Sequence, residues 1–199
     1  PTYQGYSKVG TLSGTSISFG SMTQFNTAQT FHASIAFDPN VAGKFIIAFR
    51  DAGNSNYGTA IIGTVSGTSV SYGSKYVYNT TGDTNYNSIV FSHHTPNKFI
   101  IAYQDELNSN YGAVIEGTVS GAAISFGTEV THNSVSTHYT TAAFDPFNAG
   151  KFIIGYRNTT ASPSNGSVIL GQVAANVTNL TATNFIGMAD AAIADTAAG

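Results

Sequence analysis

Apolar and polar positions follow two patterns along this chain. Val70 and Tyr72 alternate with Ser69 and Ser71, the period of a strand with one wet face. Phe45-Ile46-Ile47-Ala48-Phe49 is unbroken, as expected of a strand covered on both faces. Each stretch of this kind ends in turn chemistry. Asp38-Pro39-Asn40 and Asp145-Pro146 punctuate two of them, and Ser66-Gly67 fits a tight hairpin between two more. Helical periodicity is absent until Met188 to Ala198, where alanine enrichment permits a short helix.

The same patterns recur. GTLSGTSISF at Gly10, GTVSGTSVSY at Gly63 and GTVSGAAISF at Gly117 are followed by a decayed GQV at Gly171, giving spacings of 53, 54 and 54 residues. Lys44-Phe-Ile-Ile-Ala-Phe-Arg50 returns as Lys98-Phe-Ile-Ile-Ala-Tyr-Gln104 and Lys151-Phe-Ile-Ile-Gly-Tyr-Arg157, and Asn54-Ser-Asn-Tyr-Gly58 returns at Asn108. Each unit parses into four strands. The first is Ser34–Asp38 with its copies Ser88–Ser92 and Thr141–Asp145, and the second is the KFIIAF run. The third begins at Tyr57, and the fourth runs from Thr68 past Tyr72.

The expected fold is therefore all-β, with tandem four-stranded antiparallel units of about 54 residues resembling the blades of a β-propeller. A unit this long is too short for a sandwich and too long for an ordinary solenoid coil. The expected boundaries are a half unit over 1–26, units near 27–80, 81–134 and 135–186, and a junction over 187–199. Phe45, Ile47, Phe99, Ile101, Phe152 and Ile154 should be buried between sheets. Ile46, Ile100 and Ile153 should be covered on the opposite face, and Lys44, Lys98 and Lys151 should be solvated strand ends. Three first-and-second strand pairs are fewer than a closed ring needs, so the chain is expected to be part of a larger ring or to complete one with another chain. It starts at Pro1 and stops on Ala197-Ala198-Gly199, which reads as a piece of a longer polypeptide or a processed product.

Composition narrows the function classes. Charged residues make up 9%, far below the usual roughly 25%, and are replaced by Thr, Ser, Asn and Gly, a balance that leans toward an exposed, extracellular setting. Lysines are scattered singly and the net charge is −3, which argues against nucleic acid as a partner. No apolar run approaches the roughly 20 residues of a membrane helix, so no membrane insertion is expected. There is no cysteine and hence no disulfide.

No catalytic constellation emerges. There is no GxSxG elbow, and several carboxylates are repeat-equivalent, which suits structure better than a unique acid–base pair. The chain is expected not to be an enzyme and to need no cofactor. Calcium at the loops of Asp51 with Asn54, and of Asp105 with Glu106 and Asn108, is disfavoured because the third copy, Asn158 to Asn165, drops the carboxylates. Zinc is disfavoured because His32, His93, His94, His132 and His138 lack ligand spacing. Ligand recognition is expected where copies differ: His93 and His94 in place of Asp-Pro, the loop from Asn158 to Asn165, and Tyr78 and Tyr139 as rings for sugar stacking.

The units AFRDAGNSNYGTAIIGTVSGTSVSYGS and AYQDELNSNYGAVIEGTVSGAAISFGT resemble tandem repeats of tail-fibre-like and other structural proteins of marine bacteriophages, including phages of cyanobacteria. Asn184 to Gly199 looks like the junction that follows such repeats. The resemblance spans nearly the whole chain and brings no catalytic residues with it. It implies a virion appendage module in a tail or surface fibre. Such a module would be a homo-oligomer touching other virion proteins and a host-surface glycan or receptor. The alternatives are a secreted bacterial adhesin or matrix protein and a glycan-binding propeller.

Overall fold

The computed structural model describes residues 3–160 and 165–173. The junction over 187–199, the helix permitted over 188–198 and the last part of the third unit lie outside the described residues. The chain is all-β, with no α-helix among the described residues. Its strands are β1 (Gln4–Ser7), β2 (Gly10–Ser13), β3 (Ser16–Phe19), β4 (Thr23–Phe37), β5 (Lys44–Asp51), β6 (Tyr57–Ser66) and β7 (Ser69–Asn79), then β8 (Thr84–Phe91), β9 (Lys98–Asp105), β10 (Tyr111–Ser120), β11 (Ala123–Phe126), β12 (Val130–Phe144), β13 (Lys151–Asn158) and β14 (Asn165–Gln172). One sheet has the order β1-β4-β5-β6-β7. A second runs β14-β13-β12-β10-β9-β8 with β11 also on β10, and β2 and β3 form a separate hairpin. Every pairing is antiparallel, and the sheet curls into half a barrel.

Positions one repeat apart hold matching places in the ladders. Phe45 pairs with Gly63, Phe99 with Gly117 and Phe152 with Gly171. A β-carbon on any of these glycines would lie 2.1–2.2 Å from the partner phenyl ring, so glycine is required where the ring lies flat across the neighbouring strand. The hairpins turn at Gly14, Gly67 and Gly121, all at positive φ, as a two-residue turn demands.

The unbroken apolar strands are buried as their pattern predicts. Phe45, Ile46 and Ile47 are at most 4% exposed, and Phe99, Ile100 and Ile101 are fully buried, as are Phe152 and Ile154 to within 1%. One apolar cluster joins Ile46, Ala48, Ala60 and Ile62 to Ile89, Phe91, Phe99 and Ile101. The next joins Ile100, Ala102 and Val114 to Phe144, Phe152 and Ile154. Thus β5–β6 packs on β8–β9, and β9–β10 packs on β12–β13.

Three expectations are corrected. Ile153 is 45% exposed although Ile46 and Ile100 are fully buried, because nothing among the described residues lies over that face of β13. Lys98 is not merely solvated. It pairs with Glu116, which is 1% exposed and stands where Ile62 and Leu170 stand in the other copies. Strand β12, like β4, is 15 residues long: its first half pairs with β10 and its second with β13, so at these two joints one copy continues into the next within a single strand, whereas β7 and β8 are separate strands.

Candidate functional site: an aromatic row on strand bulges

The strands that begin each copy share an irregularity. The register slips between Phe31 and Ser34 in β4, between Asn85 and Ser88 in β8, and between His138 and Thr141 in β12. In each bulge one residue adopts positive φ: His32 at 52°, Tyr86 at 53° and Tyr139 at 53°. Bulky non-glycine residues rarely occupy this region, and such strain persists only where the surroundings enforce it. The bulges bring the three rings into a row. His32 and Tyr86 have centroids 5.2 Å apart, and Tyr86 and Tyr139 4.8 Å apart. Tyr139, at the end of the row, is 60% exposed.

A second line of side chains supports the row. The residues preceding the three rings are Phe31, Asn85 and His138, which pair across the ladder with Arg50, Gln104 and Arg157. The Arg50 guanidinium lies 4.6 Å from the Phe31 ring centre and donates to Asp83 (3.1 Å) and Asn85 Oδ1 (2.8 Å). Asn85 donates to Gln104 Oε1 (3.1 Å) and Glu106 Oε2 (3.0 Å), and Gln104 donates to the Thr137 carbonyl (2.6 Å). Arg157 lies 4.8 Å from the Tyr139 ring centre, with Nη2 3.3 Å from His138 Nδ1. Because arginine only donates, Nδ1 of His138 is the acceptor and its proton belongs on Nε2. His138 also stacks on Tyr86 at 5.2 Å. Partial burial, and secondarily the neighbouring arginine, lowers the pKa of both His138 and His32, so both rings favour the neutral form.

The row offers ring faces, a guanidinium and amides. It has no paired nucleophile and base, and its nearby carboxylates are engaged, Asp83 by Arg50 and Glu106 by Asn85. Such a surface can stack on and hydrogen-bond to a ligand.

The residues singled out from sequence do not converge. Tyr139 belongs to the row. Asn158 and Asn165 pair with each other at the same strand end, and Asn158 Oδ1 accepts from the Thr160 backbone (3.0 Å) and hydroxyl (2.9 Å). His93 and His94 follow the opposite end of β8. There His94 Nε2 donates to the Pro146 carbonyl (2.8 Å), tying two equivalent turns together. Tyr78 is corrected from a surface ring to a core residue. It is 6% exposed, donates to Asn87 Oδ1 (2.9 Å), and burial pushes its pKa up.

The carboxylates at the repeated loops are taken up by the turns. Asp51 accepts from Gly53 N (3.1 Å) and Asn26 Nδ2 (3.0 Å) and pairs with Lys75 (2.9 Å). Asp105 accepts from Asn108 N, Asn79 Nδ2 and Thr81 Oγ1, each at 3.3 Å. Among the described residues no three His, Asp or Glu side chains are grouped as metal ligands.

Tyr86 was not singled out from the sequence, and His32 and His138 were weighed there only as metal ligands. The ladder instead equates His32 with Tyr86 and Tyr139, and Phe31 with Asn85 and His138. An alignment through the bulge, at spacings of 54 and 53 residues, would have exposed a ring at one position in every copy. No protein family matches the chain, and no curated protein sequence matches it significantly.

Proposed function

We propose that this chain is a non-enzymatic attachment module of a virion appendage, of tail-fibre or adhesin type. It is built from blade-like four-stranded units of about 54 residues that present strand-end surfaces to a host-surface glycan. The observation that carries the reading is the row His32–Tyr86–Tyr139, three rings displayed by bulges of matching strained backbone, with Arg157 beside the exposed one. Rings of this kind stack on the apolar faces of sugars, while the guanidinium and amides bond to hydroxyls. The charge-poor, hydroxyl- and amide-rich composition and the resemblance to phage fibre repeats point the same way. Weak single sites gain strength from multivalency in an appendage with many copies.

The test is a glycan-array and whole-cell binding assay on Tyr139→Ala and Arg157→Ala. Both side chains are exposed, so both variants should fold. Each is expected to weaken binding about tenfold, equivalent to about 1.4 kcal/mol. Parent-like binding by both folded variants would reject the row as the receptor site.

A further inference from the structure

Among the described residues two apolar sheet faces lie open, one in the first copy and one in the last, and they match the two halves of a contact that the chain makes twice internally. The first half is the edge of the first strand in each copy. Ile89 is 6% exposed and Phe91 2% exposed, and both belong to one buried apolar cluster with Ile46, Ala48 and Ala60 of the preceding copy. Their counterparts Ile35 and Phe37, in the first copy, are 54% and 58% exposed.

The second half is the face that receives this edge. Ile46, Ile100, Ala60 and Val114 are fully buried, whereas their counterparts in the last copy, Ile153 and Val168, are 45% and 62% exposed. Ile153 and Val168 line a shallow groove with Thr141, Ala142, Ala143 and Gly155. Apart from Ala142, which matches Ile35 and Ile89, the groove residues match Ser34, Ala36, Ile46, Ala48 and Ala60, which lie with the Ile89–Phe91 edge inside the molecule.

A polar contact repeats with the packing. Ile89 N donates to Ser34 Oγ (3.2 Å), and one copy later Ala142 N donates to Ser88 Oγ (3.0 Å). The next hydroxyl in that series is Thr141, in the open groove, and the unmatched backbone position is Ile35, on the open edge.

The geometry points to head-to-tail association of this chain with a second copy of itself. The Ile35–Phe37 edge of one molecule seats in the Ile153–Val168 groove of the next, and Ile35 N–H donates to Thr141 Oγ1. The contact is heterologous, joining different surfaces of the two molecules, so it closes into a ring or propagates. It also sets Tyr139 of one copy beside His32 of the next and lengthens the aromatic row. The inference rests on the equivalence of the repeats and not on the receptor reading: a loss of assembly and a loss of glycan binding are separate measurements.

Sedimentation velocity of the full chain over a concentration series tests it. The parent is expected to show concentration-dependent association. Ile153→Asp and Phe37→Asp, each replacing an exposed residue, are each expected to be monomeric, and their equimolar mixture is expected to give a one-to-one dimer through the remaining intact pair of faces. A contact between identical faces would instead leave one of the variants dimeric alone, which overturns the proposal. So does a parent that stays monomeric at about 100 µM, a concentration at which even micromolar contacts are populated, whether residues 174–199 or a further unit of a longer chain covers the faces. Hydrogen exchange of the parent gives a check that needs no variant. Raising the concentration should slow exchange in 34–38 and 141–144 together, and unchanged exchange in both rejects the interface.

Discussion

At the scale of single residues, Glu116 and His132 occupy positions that other copies fill with aliphatic or aromatic side chains. Glu116 replaces Ile62 and Leu170. Burial raises its pKa, the Lys98 partner opposes that rise, and one carboxylate oxygen has no hydrogen-bond partner. Removing Lys98 strands a buried carboxylate, so Lys98→Ala should cost about 3 kcal/mol in a denaturant melt. The double variant Lys98→Met with Glu116→Ile should regain that loss, because a matched apolar pair removes both desolvation terms; a double variant as unstable as the single would reject the account. His132 stands where Phe25 and Tyr78 stand, 8% exposed, with both ring nitrogens lacking a hydrogen-bond partner. Burial lowers its pKa from 6.5 to about 4. As pH falls below 6.5 the unfolded chain takes up a proton that the folded ring refuses, so stability declines down to about pH 4 and then levels off. The full effect is about 3 kcal/mol. His132→Phe should keep the ring packing and flatten this part of the stability–pH curve. Equal slopes for parent and variant between about pH 4.5 and about pH 6.5 would show that His132 is not buried neutral.

At the scale of elements, the strands were legible and the joints between them were not. The KFIIAF runs and the GTVSG hairpins announce themselves through period, glycine placement and repetition, and β5, β9 and β13 all begin at the lysine of that run. The 15-residue spans of β4 and β12 were missed because a bulge shifts the side-chain alternation by one residue midway. Such a strand then reads as two fragments with a loop between. That same slip hid the candidate site, because His32, Tyr86 and Tyr139 sit where the strand pattern breaks. Tyr78 misled for a different reason. Strand β7 ends in a buried pair of residues instead of at the surface, and a tyrosine near a strand end gives no sequence signal for which way it packs. His93 and His94 are exposed and follow β8, at its far end from Tyr86, and the sequence carries no signal for that distance.

At the scale of the whole molecule, the energetic worth of a residue depends on what packs over its strand. Near-identical strands carry Ile100 in β9 and Ile153 in β13, yet the first is fully buried and the second 45% exposed. Local sequence cannot cause this difference, since KFIIAY and KFIIGY differ by a single residue in the core run. The cause is the neighbour: β9–β10 is covered by β12–β13 on the face that bears Ile100, and the matching face of β13 has no such cover among the described residues. A side chain removed from water on both faces contributes more than one that stays partly wet, so Ile100 should contribute more than Ile153. Ile100→Ala should therefore destabilise by about 2–5 kcal/mol, the usual cost of emptying a packed aliphatic site. Ile153→Ala, measured in the same buffer at a concentration where the chain is monomeric, should cost about 1 kcal/mol or less, because much of that side chain already faces water. Equal losses under those conditions would mean that the face of β13 is covered within the monomer. A loss at Ile153 that grows with protein concentration would instead place a second molecule on that face.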